Sequence, residues 1–339
     1  MNYILKDENA IYYECGYSSD NSIFLKLGSD RYFITDSRYT IEAKELVKNA
    51  LVVTDKDIVS KANKILSKAK IKKISFDPKE WSLFEYNRLI DNLKIDFREK
   101  IDLSHLKRVI KSSNEIKILS KAVKLGERAF DRVIQDISTN GFGEDEYKLT
   151  HRAKNTLSYL GKYPVSFDPI VAINQNASKP HALPTSKKLK KNNLLLIDAG
   201  LKYKRYCSDR TRTISINKKP KASLEQSFKS KKMQKVYDIV LKAHDNAISK
   251  ARSGMRAKDI DALTRDIITK AGYGDYFIHS TGHGVGLDIH EMPYISSKSD
   301  MIIEDGMVYT IEPGIYLPDE FGIRIEDMVV MVNGKVEVL

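Results

Sequence analysis

The 339-residue chain is longer than one hydrophobic core usually serves, so its length points to a large domain with a smaller companion. Hydrophobic residues make up 42%, enough for two cores, and no apolar run approaches membrane-spanning length, so neither a membrane partner nor a spanning helix is expected. The net charge of +12 lies in lysine runs such as KANKILSKAKIKK, TSKKLKKNN and SINKKPKASLEQSFKSKKMQK without interleaved arginine and aromatic residues, the pattern of a solvated surface, so nucleic acid is not expected either. The start, MNYILKDENAIYYECGYSSDNSIF, has no basic stretch followed by an apolar one, so no export signal is expected. Cys15 and Cys207 form no CxxC pair or disulfide framework, which suits a reducing compartment and makes the cytoplasm the expected location.

Residues 1–105 mix short β-like runs, SIFLKLG and RYFITD, with helical pieces, SRYTIEAKELVKN and IVSKANKILSKA, the signature of a small α/β domain. A second domain, 106–339, opens with NEIKILSKAVKLGERAFDRVIQDI, where Ile116, Leu119, Val123, Phe130, Val133 and Ile137 recur at helical spacing and Asn114 is the expected cap. A helix around DEYKLTHRAKNTLSYLG follows, then the Pro-punctuated YPVSFDPIVAINQNASKPHALP and a buried-strand candidate, NLLLID. After a basic loop at 217–232 come two helices, MQKVYDIVLKAHDNAISKARSG and AKDIDALTRDIITKAG, and then strands again, GMVYTIEPGIYL and FGIRIEDMVVMV. Strands flanked by helices within one block indicate an α+β domain.

The acids in these strands carry the chemistry. NLLLID ends in Asp198, and YCSD presents Asp209 after a turn and returning strand, AGLKYKRYC, of a length that brings both carboxylates to one place. YTIEPG puts Glu312 at the end of an alternating strand and GIRIED puts Glu326 on another. Carboxylates are rarely buried unless paired or bound to metal, so this set asks for a shared explanation. Two divalent cations, held by the carboxylates and one imidazole, would supply it.

The stretch HSTGHGVGLDIHEMP offers His279, His283 and His290. A metal-binding helix is excluded: Gly282, Gly284 and Gly286 each penalise helix by about 1 kcal/mol, Pro293 stops one after His290, and Tyr294 stands where HExxH requires histidine. The segment is expected to be extended, with its glycines leaving room for substrate beside the strand. Asp288 and Glu291 read as support for this cluster, while His105, His151 and His244 belong to no constellation and read as structural or exposed.

In family order and spacing, PHALPT, IDAG with YCSDRTRT, HSTGHGVGLDIHEMP, YTIEPGIY and GIRIEDMVV resemble the pita-bread-fold metallopeptidases, which include methionine aminopeptidase, aminopeptidase P and prolidase. Upstream, FITDSRYTIEA resembles the creatinase-type N-terminal domain of prolidase and aminopeptidase P. The resemblance implies a pita-bread catalytic domain and proline-directed hydrolysis of short peptides: an Xaa-Pro dipeptidase, or alternatively an aminopeptidase P acting on longer peptides. A non-catalytic binding module and the metal-free chemistry of creatinase are disfavoured by the intact ligand set.

Carried over residue by residue, the resemblance makes Asp198 a terminal ligand of one metal, Asp209 and Glu326 bridging ligands, and His283 and Glu312 ligands of the second. It gives Glu312 the role of proton shuttle, makes His290 and His181 catalytic contacts, places His279 and Tyr316 in the substrate pocket, and has Arg324 orient the carboxylates beside the substrate. Manganese suits such carboxylate-rich ligation, with cobalt, zinc or iron compatible, and a homodimer is implied. Two departures concern loop shape and substrate preference: relatives commonly have glycine where Arg205 stands, and VASG where this chain has VAIN at 171–174.

Overall fold

The computed structural model describes residues 1–217 and 220–339; Lys218 and Lys219 of the basic loop lie outside the described residues. The chain divides into two compact units, Met1–Lys107 and Arg108–Leu339.

In the first unit, β1 (Tyr3–Leu5), β2 (Ser22–Leu27), β3 (Asp30–Thr35), β4 (Leu51–Thr54), β5 (Lys73–Phe76) and β6 (Asp96–Glu99) form a mixed sheet ordered β4-β3-β2-β1-β5-β6. Successive side chains point to opposite faces. Ile4, Ile23, Leu25 and Ile34 meet α3 (Ile58–Lys68) and α4 (Leu83–Ile90) on one face. Tyr3, Leu5, Phe24 and Phe33 meet α1 (Glu8–Cys15) and α2 (Thr40–Leu46) on the other. Burial on both faces explains why these strands read as apolar runs rather than as alternations. A further helix, α5 (Leu103–Arg108), spans the division.

The second unit begins on α6 (Ser113–Asn140), whose cap is Ser112 rather than Asn114. Ser112 accepts from the Glu115 amide while the Glu115 carboxylate accepts from the Ser112 amide, a reciprocal pair that Asn114, inside the first turn, cannot form. With α7 (Glu146–Leu157), α6 packs on a sheet of β7 (Ile170–Ile173), β8 (Leu194–Asp198) and β11 (Thr211–Ser215), ordered β11-β8-β7. β8 is the central strand, and its LLLI run is covered by α6 and α7 on one face and by α8 (Lys231–Lys250) on the other. Between β8 and β11, β9 (Lys202–Tyr203) and β10 (Tyr206–Cys207) make a tight hairpin.

The second sheet of this unit, ordered β13-β12-β14-β17-β18, contains β12 (Gly282–Gly284), β13 (Glu291–Ile295), β14 (Val308–Ile311), β17 (Asp327–Val332) and β18 (Lys335–Val338), and packs against α8 and α9 (Ala257–Lys270). β15 (Gly314–Leu317) and β16 (Phe321–Arg324) form a separate hairpin. The two C-terminal apolar runs are thus each two strands. GMVYTIEPGIYL breaks at Glu312–Pro313, where proline offers no N–H to a ladder, and FGIRIEDMVVMV breaks at Ile325–Glu326. Both breaks place an acid where the chain leaves one sheet for another. Paired sheets with helices outside them form the expected α+β pita-bread architecture.

Candidate active site

The acids arrive from separate elements. Asp198 ends β8, opposite Ile170 of β7 and Thr211 of β11, so the apolar strand delivers a carboxylate to the sheet end. Asp209 lies between β10 and β11, Glu312 follows β14, and Glu326 lies between β16 and β17. His283 is the centre of β12, its Nε2 3.3 Å from a Glu312 oxygen and 3.7 Å from an Asp209 oxygen. Ligand atoms of Asp209, His283 and Glu326 lie within 4.8 Å of one another.

The tautomer of His283 follows from its neighbours. Its Nδ1 is 3.1 Å from the Gly284 carbonyl, which only accepts, so Nδ1 carries the proton and Nε2 turns its lone pair toward the acids. Burial lowers the pKa of this imidazole and keeps it neutral, the form that binds metal.

The acids are under-neutralised. Burial raises the Asp209 carboxyl well above the usual range, and the charges of Glu326, Asp198 and Glu312 raise it further. Burial likewise raises Glu326, helped by Glu312 and Asp198, and pushes Glu312 up to about 7. Asp198 Oδ1, Asp209 Oδ1 and Glu326 Oε1 are buried with no hydrogen-bond partner among the described residues. Buried oxygens aimed at one another without donors are destabilising unless a cation sits among them. The donor set, carboxylates with one imidazole, fits hard or borderline divalent cations.

Arg324 supplies part of the missing positive charge. It donates from Nη2 to Asp198 at 2.5 Å, from Nη1 to the Tyr316 hydroxyl at 2.6 Å and from Nε to the Thr211 hydroxyl at 3.1 Å. Thr211 in turn donates to Glu326 Oε2 at 2.6 Å. Arg324 and Glu326 therefore face the same side, joined through Thr211, although β16 ends at Arg324. Thr211 is not among the residues expected from sequence; it shares a face of β11 with Thr213, which accepts from the Arg324 amide and donates to its carbonyl.

The acids form the floor of a cavity of about 760 Å³ whose walls include His181, His279, His290, Leu183, Ile289 and Tyr294. His181 and His290 are exposed within it, and the His290 ring centroid is 4.2 Å from that of His283. Burial holds the His290 imidazole down at about 4, and therefore neutral at pH 7.

His279 also lines the cavity, but both ring nitrogens are taken. Nδ1 donates to the Ser280 carbonyl at 2.8 Å, and Nε2 accepts from the Tyr316 hydroxyl at 2.9 Å. Tyr316 itself is only 3% exposed and lies behind the cavity wall, held between His279 and Arg324, so it does not form part of the pocket surface expected of it. His151, which belongs to no constellation in the sequence, stands on the outer wall of this cavity with Tyr147 and Lys154 of the same α7 face. His244 is buried with Nε2 3.3 Å from Asp327, and His105 lies on α5 with Nδ1 3.6 Å from Asp102.

The glycines of the histidine stretch have a different job from the one expected. A Cβ on Gly282 would lie 1.9 Å from the Thr310 carbonyl oxygen, and one on Gly284 would lie 2.2 Å from that of Met292. They leave room for the neighbouring strands to close on β12, not for substrate. The two departures from family glycine fall at positive φ: Asn174 at 46° and Arg205 at 68°. Asn174 tolerates this region and uses its side chain to accept from the Leu194 amide. Arg205 is not of a residue type that favours this region, yet it adopts the left-handed turn and β9 still pairs with β10.

Comparison with known proteins agrees with this geometry. Residues 117–333 match metallopeptidase family M24, and residues 2–111 match the creatinase/prolidase N-terminal domain. The Xaa-Pro dipeptidase of Pyrococcus furiosus is 37% identical over 253 residues, covering 75% of this chain and 69% of that one. The solved Xaa-Pro dipeptidase from Bacillus anthracis superposes with a TM-score of 0.90 at 32% identity, covering 99% of this chain and 92% of the other. The X-Pro aminopeptidase from Thermotoga maritima gives 0.88 at 33% identity, covering 99% and 94%. Joining an acid-floored cavity to a matching catalytic domain and a matching N-terminal domain, the chain belongs to metallopeptidase family M24.

Proposed function

We propose that the protein is an Xaa-Pro dipeptidase of the prolidase type, hydrolysing the bond before proline in short peptides with two divalent cations. The observation that carries this reading is the set of orphaned, buried carboxylate oxygens of Asp198, Asp209 and Glu326 beside the His283 lone pair, at the floor of a peptide-sized cavity. Asp198 would hold one cation, His283 and Glu312 the other, and Asp209 and Glu326 would bridge them. Such a pair supplies Lewis acidity toward water and toward the scissile carbonyl oxygen. Manganese is the expected metal, with cobalt, zinc or iron compatible with the same donors.

The chain's own groups then divide the work. A Glu312 oxygen takes a proton from the attacking water and returns it to the leaving proline nitrogen, a role suited to a carboxylate at the cavity floor with an oxygen 3.3 Å from His283 Nε2. His290, neutral and exposed in the cavity, donates its one N–H toward the carbonyl oxygen as charge develops there, with His181 on the same wall. Arg324 holds Asp198 and, through Tyr316, fixes the His279 ring that shapes the wall. Two free, buried cysteines are in keeping with a cytoplasmic setting, and a homodimer is proposed on family resemblance, to be checked by the solution mass.

The test is hydrolysis of an Xaa-Pro dipeptide against an Xaa-Pro-Yaa tripeptide by metal-free protein reloaded with manganese, cobalt or zinc. Preferential cleavage of the dipeptide is expected. Cleavage of the tripeptide alone would move the assignment to aminopeptidase P, and cleavage of neither would overturn it.

A further inference from the structure

Beneath the loop that leads from β12 to His290 lies a buried ion cluster with no part in the scheme above. Arg108 donates from Nη2 to Asp288 at 2.6 Å and stands 3.9 Å from Glu291, while Lys111 donates to Glu291 Oε1 at 2.7 Å. The side chains of Arg108, Lys111 and Glu291 are 2%, 1% and 1% exposed. Glu291 directly follows His290, and Asp288 precedes it by two residues. Both acids that flank His290 are therefore tied to the first four residues of the second unit.

The tether is anchored at both ends. The Lys111 amide donates to the Gly306 carbonyl at 2.9 Å and Ile110 bridges to Met307, which fixes the basic segment to the chain entering β14. The Glu291 carboxylate lies against Gly286, where a Cβ would come within 2.4 Å of Oε1. Gly286 in turn accepts from the Cys207 amide at 2.8 Å and donates to the Asp288 carbonyl at 3.0 Å. The loop is thus folded around the Glu291 carboxylate, and Lys111 holds that carboxylate from below.

Stability alone is a weak account of this arrangement. Apolar side chains of similar volume commonly stabilise as well as a buried ion pair or better. Arg108 also keeps Nε and Nη1 buried without a hydrogen-bond partner among the described residues. What two fixed cations on two acids do supply is direction, since each hydrogen bond defines where its carboxylate, and the backbone attached to it, must lie.

We infer that Arg108 and Lys111 are positioning residues for His290, holding it over the metal floor through Asp288 and Glu291. This rests on the proposed role of His290 at the scissile carbonyl. The test uses the metal-loaded full chain carrying Lys111→Met or Arg108→Met, each alone and combined with His290→Ala. The readouts are kcat and KM on an Xaa-Pro dipeptide, metal stoichiometry, and hydrogen exchange of the 285–291 backbone amides. A fall in kcat of about 10- to 100-fold is expected for each single variant, as for other groups that orient catalytic ones, with metal content unchanged. In the His290→Ala background the same substitutions should lower kcat no further, and the 285–291 amides should exchange faster while those of α6 do not.

Should Lys111→Met fail to fold, Arg108→Met remains decisive, because its partner Asp288 is 25% exposed and can rehydrate. Arg108→Lys should recover most of the activity. Full kcat in the methionine variants, losses that multiply with His290→Ala, or unchanged exchange across 285–291 would each overturn the inference. If the wild type cleaves no Xaa-Pro peptide, the functional reading fails instead, and the exchange experiment still decides whether the brace exists.

Discussion

At the break before β17, two adjacent buried acids face opposite sides of one backbone. Glu326 meets Asp209, Asp198 and Glu312, with the Thr211 hydroxyl as its donor and one oxygen left unpaired. Asp327 meets Arg212 at 2.6 Å and the His244 ring at 3.3 Å. Across from this break β11, a strand of the other sheet, mirrors the alternation, turning Thr211 toward Glu326 and Arg212 toward Asp327. Burial raises both carboxyls, but His244 and Arg212 outweigh it for Asp327 and hold that group well below the usual range, whereas neighbouring acids add to it for Glu326. One acid is neutralised by the protein; the other is left among like charges. The pair separates a structural carboxylate from a proposed metal-binding one more cleanly than burial does.

The largest effect should come from the acid-rich side. Asp209→Asn removes a proposed bridging charge, so bound metal and turnover should be lost together, by more than about the 100-fold that removal of an orienting group gives. Metal analysis and dipeptide hydrolysis measure this, and full activity in the variant would break the distinction. The same substitution should leave the metal-free chain folded, since it relieves repulsion among Asp209, Glu326, Asp198 and Glu312.

On the neutralised side the expectation inverts. Asp327→Asn leaves Arg212, whose side chain is 3% exposed, without its counter-charge, and should cost about 3–5 kcal/mol in urea unfolding. Metal bound per folded molecule should change little. A loss below about 1 kcal/mol, the range of exposed pairs, would show that the Arg212 and His244 contacts do not balance Asp327 as described.

The two sides also differ in pH dependence. Glu312 rises from an ordinary 4.5 to about 7 in the folded, metal-free chain, so the folded state binds protons more tightly than the unfolded one. Stability from this source is full below about pH 4.5 and is lost as pH rises through about 7, on the order of 3 kcal/mol for this group. Asp327, lowered, contributes stability that is present above its ordinary 3.8 and lost only in stronger acid. Asp209 and Glu326, raised with Glu312, act in the same direction, whereas His279, His283 and His290, lowered by burial, act in the opposite one below their ordinary 6.5. Metal-free protein should therefore lose stability as pH rises from about 7 to 9, where those imidazoles are neutral folded or unfolded. Saturating manganese should flatten that slope and raise the midpoint most at the higher pH. Parallel melting profiles with and without metal would contradict the account.

Much of this contrast was legible in the sequence, and the remainder was hidden for definable reasons. Asp198, Asp209, Glu312 and Glu326 stood out because each ends or interrupts an apolar run, and the glycines around His283 excluded a helix on local energetics alone. The partners that give the acids their character were out of reach. Arg212 lies 115 positions from Asp327, and Lys111 lies 180 from Glu291, separations at which spacing carries no information about contact. The same limit misled the reading of Gly282 and Gly284, whose neighbours are the carbonyls of Thr310 and Met292 rather than substrate. Ser112 was displaced by Asn114 as the expected cap because the capping box begins before the apolar periodicity does.

The smallest effect is expected at the turn that feeds Asp209 into the acid-rich side. Lys204 and Arg205 join β9 to β10 with φ of 49° and 68°, the left-handed pair that a two-residue hairpin requires. A non-glycine residue there is strained by about 1–2 kcal/mol, partly offset because glycine loses more backbone freedom on folding. Arg205→Gly should therefore stabilise the protein by less than about 1 kcal/mol, with metal content and kcat unchanged. The Gly200 position, four residues before Lys204, tolerates no such exchange, since a Cβ there would lie 1.8 Å from the Ser208 carbonyl oxygen. If Arg205→Gly altered metal binding, Arg205 would be acting on Asp209 itself, and the carboxylate's position would depend on the turn's side chains and not only on its backbone.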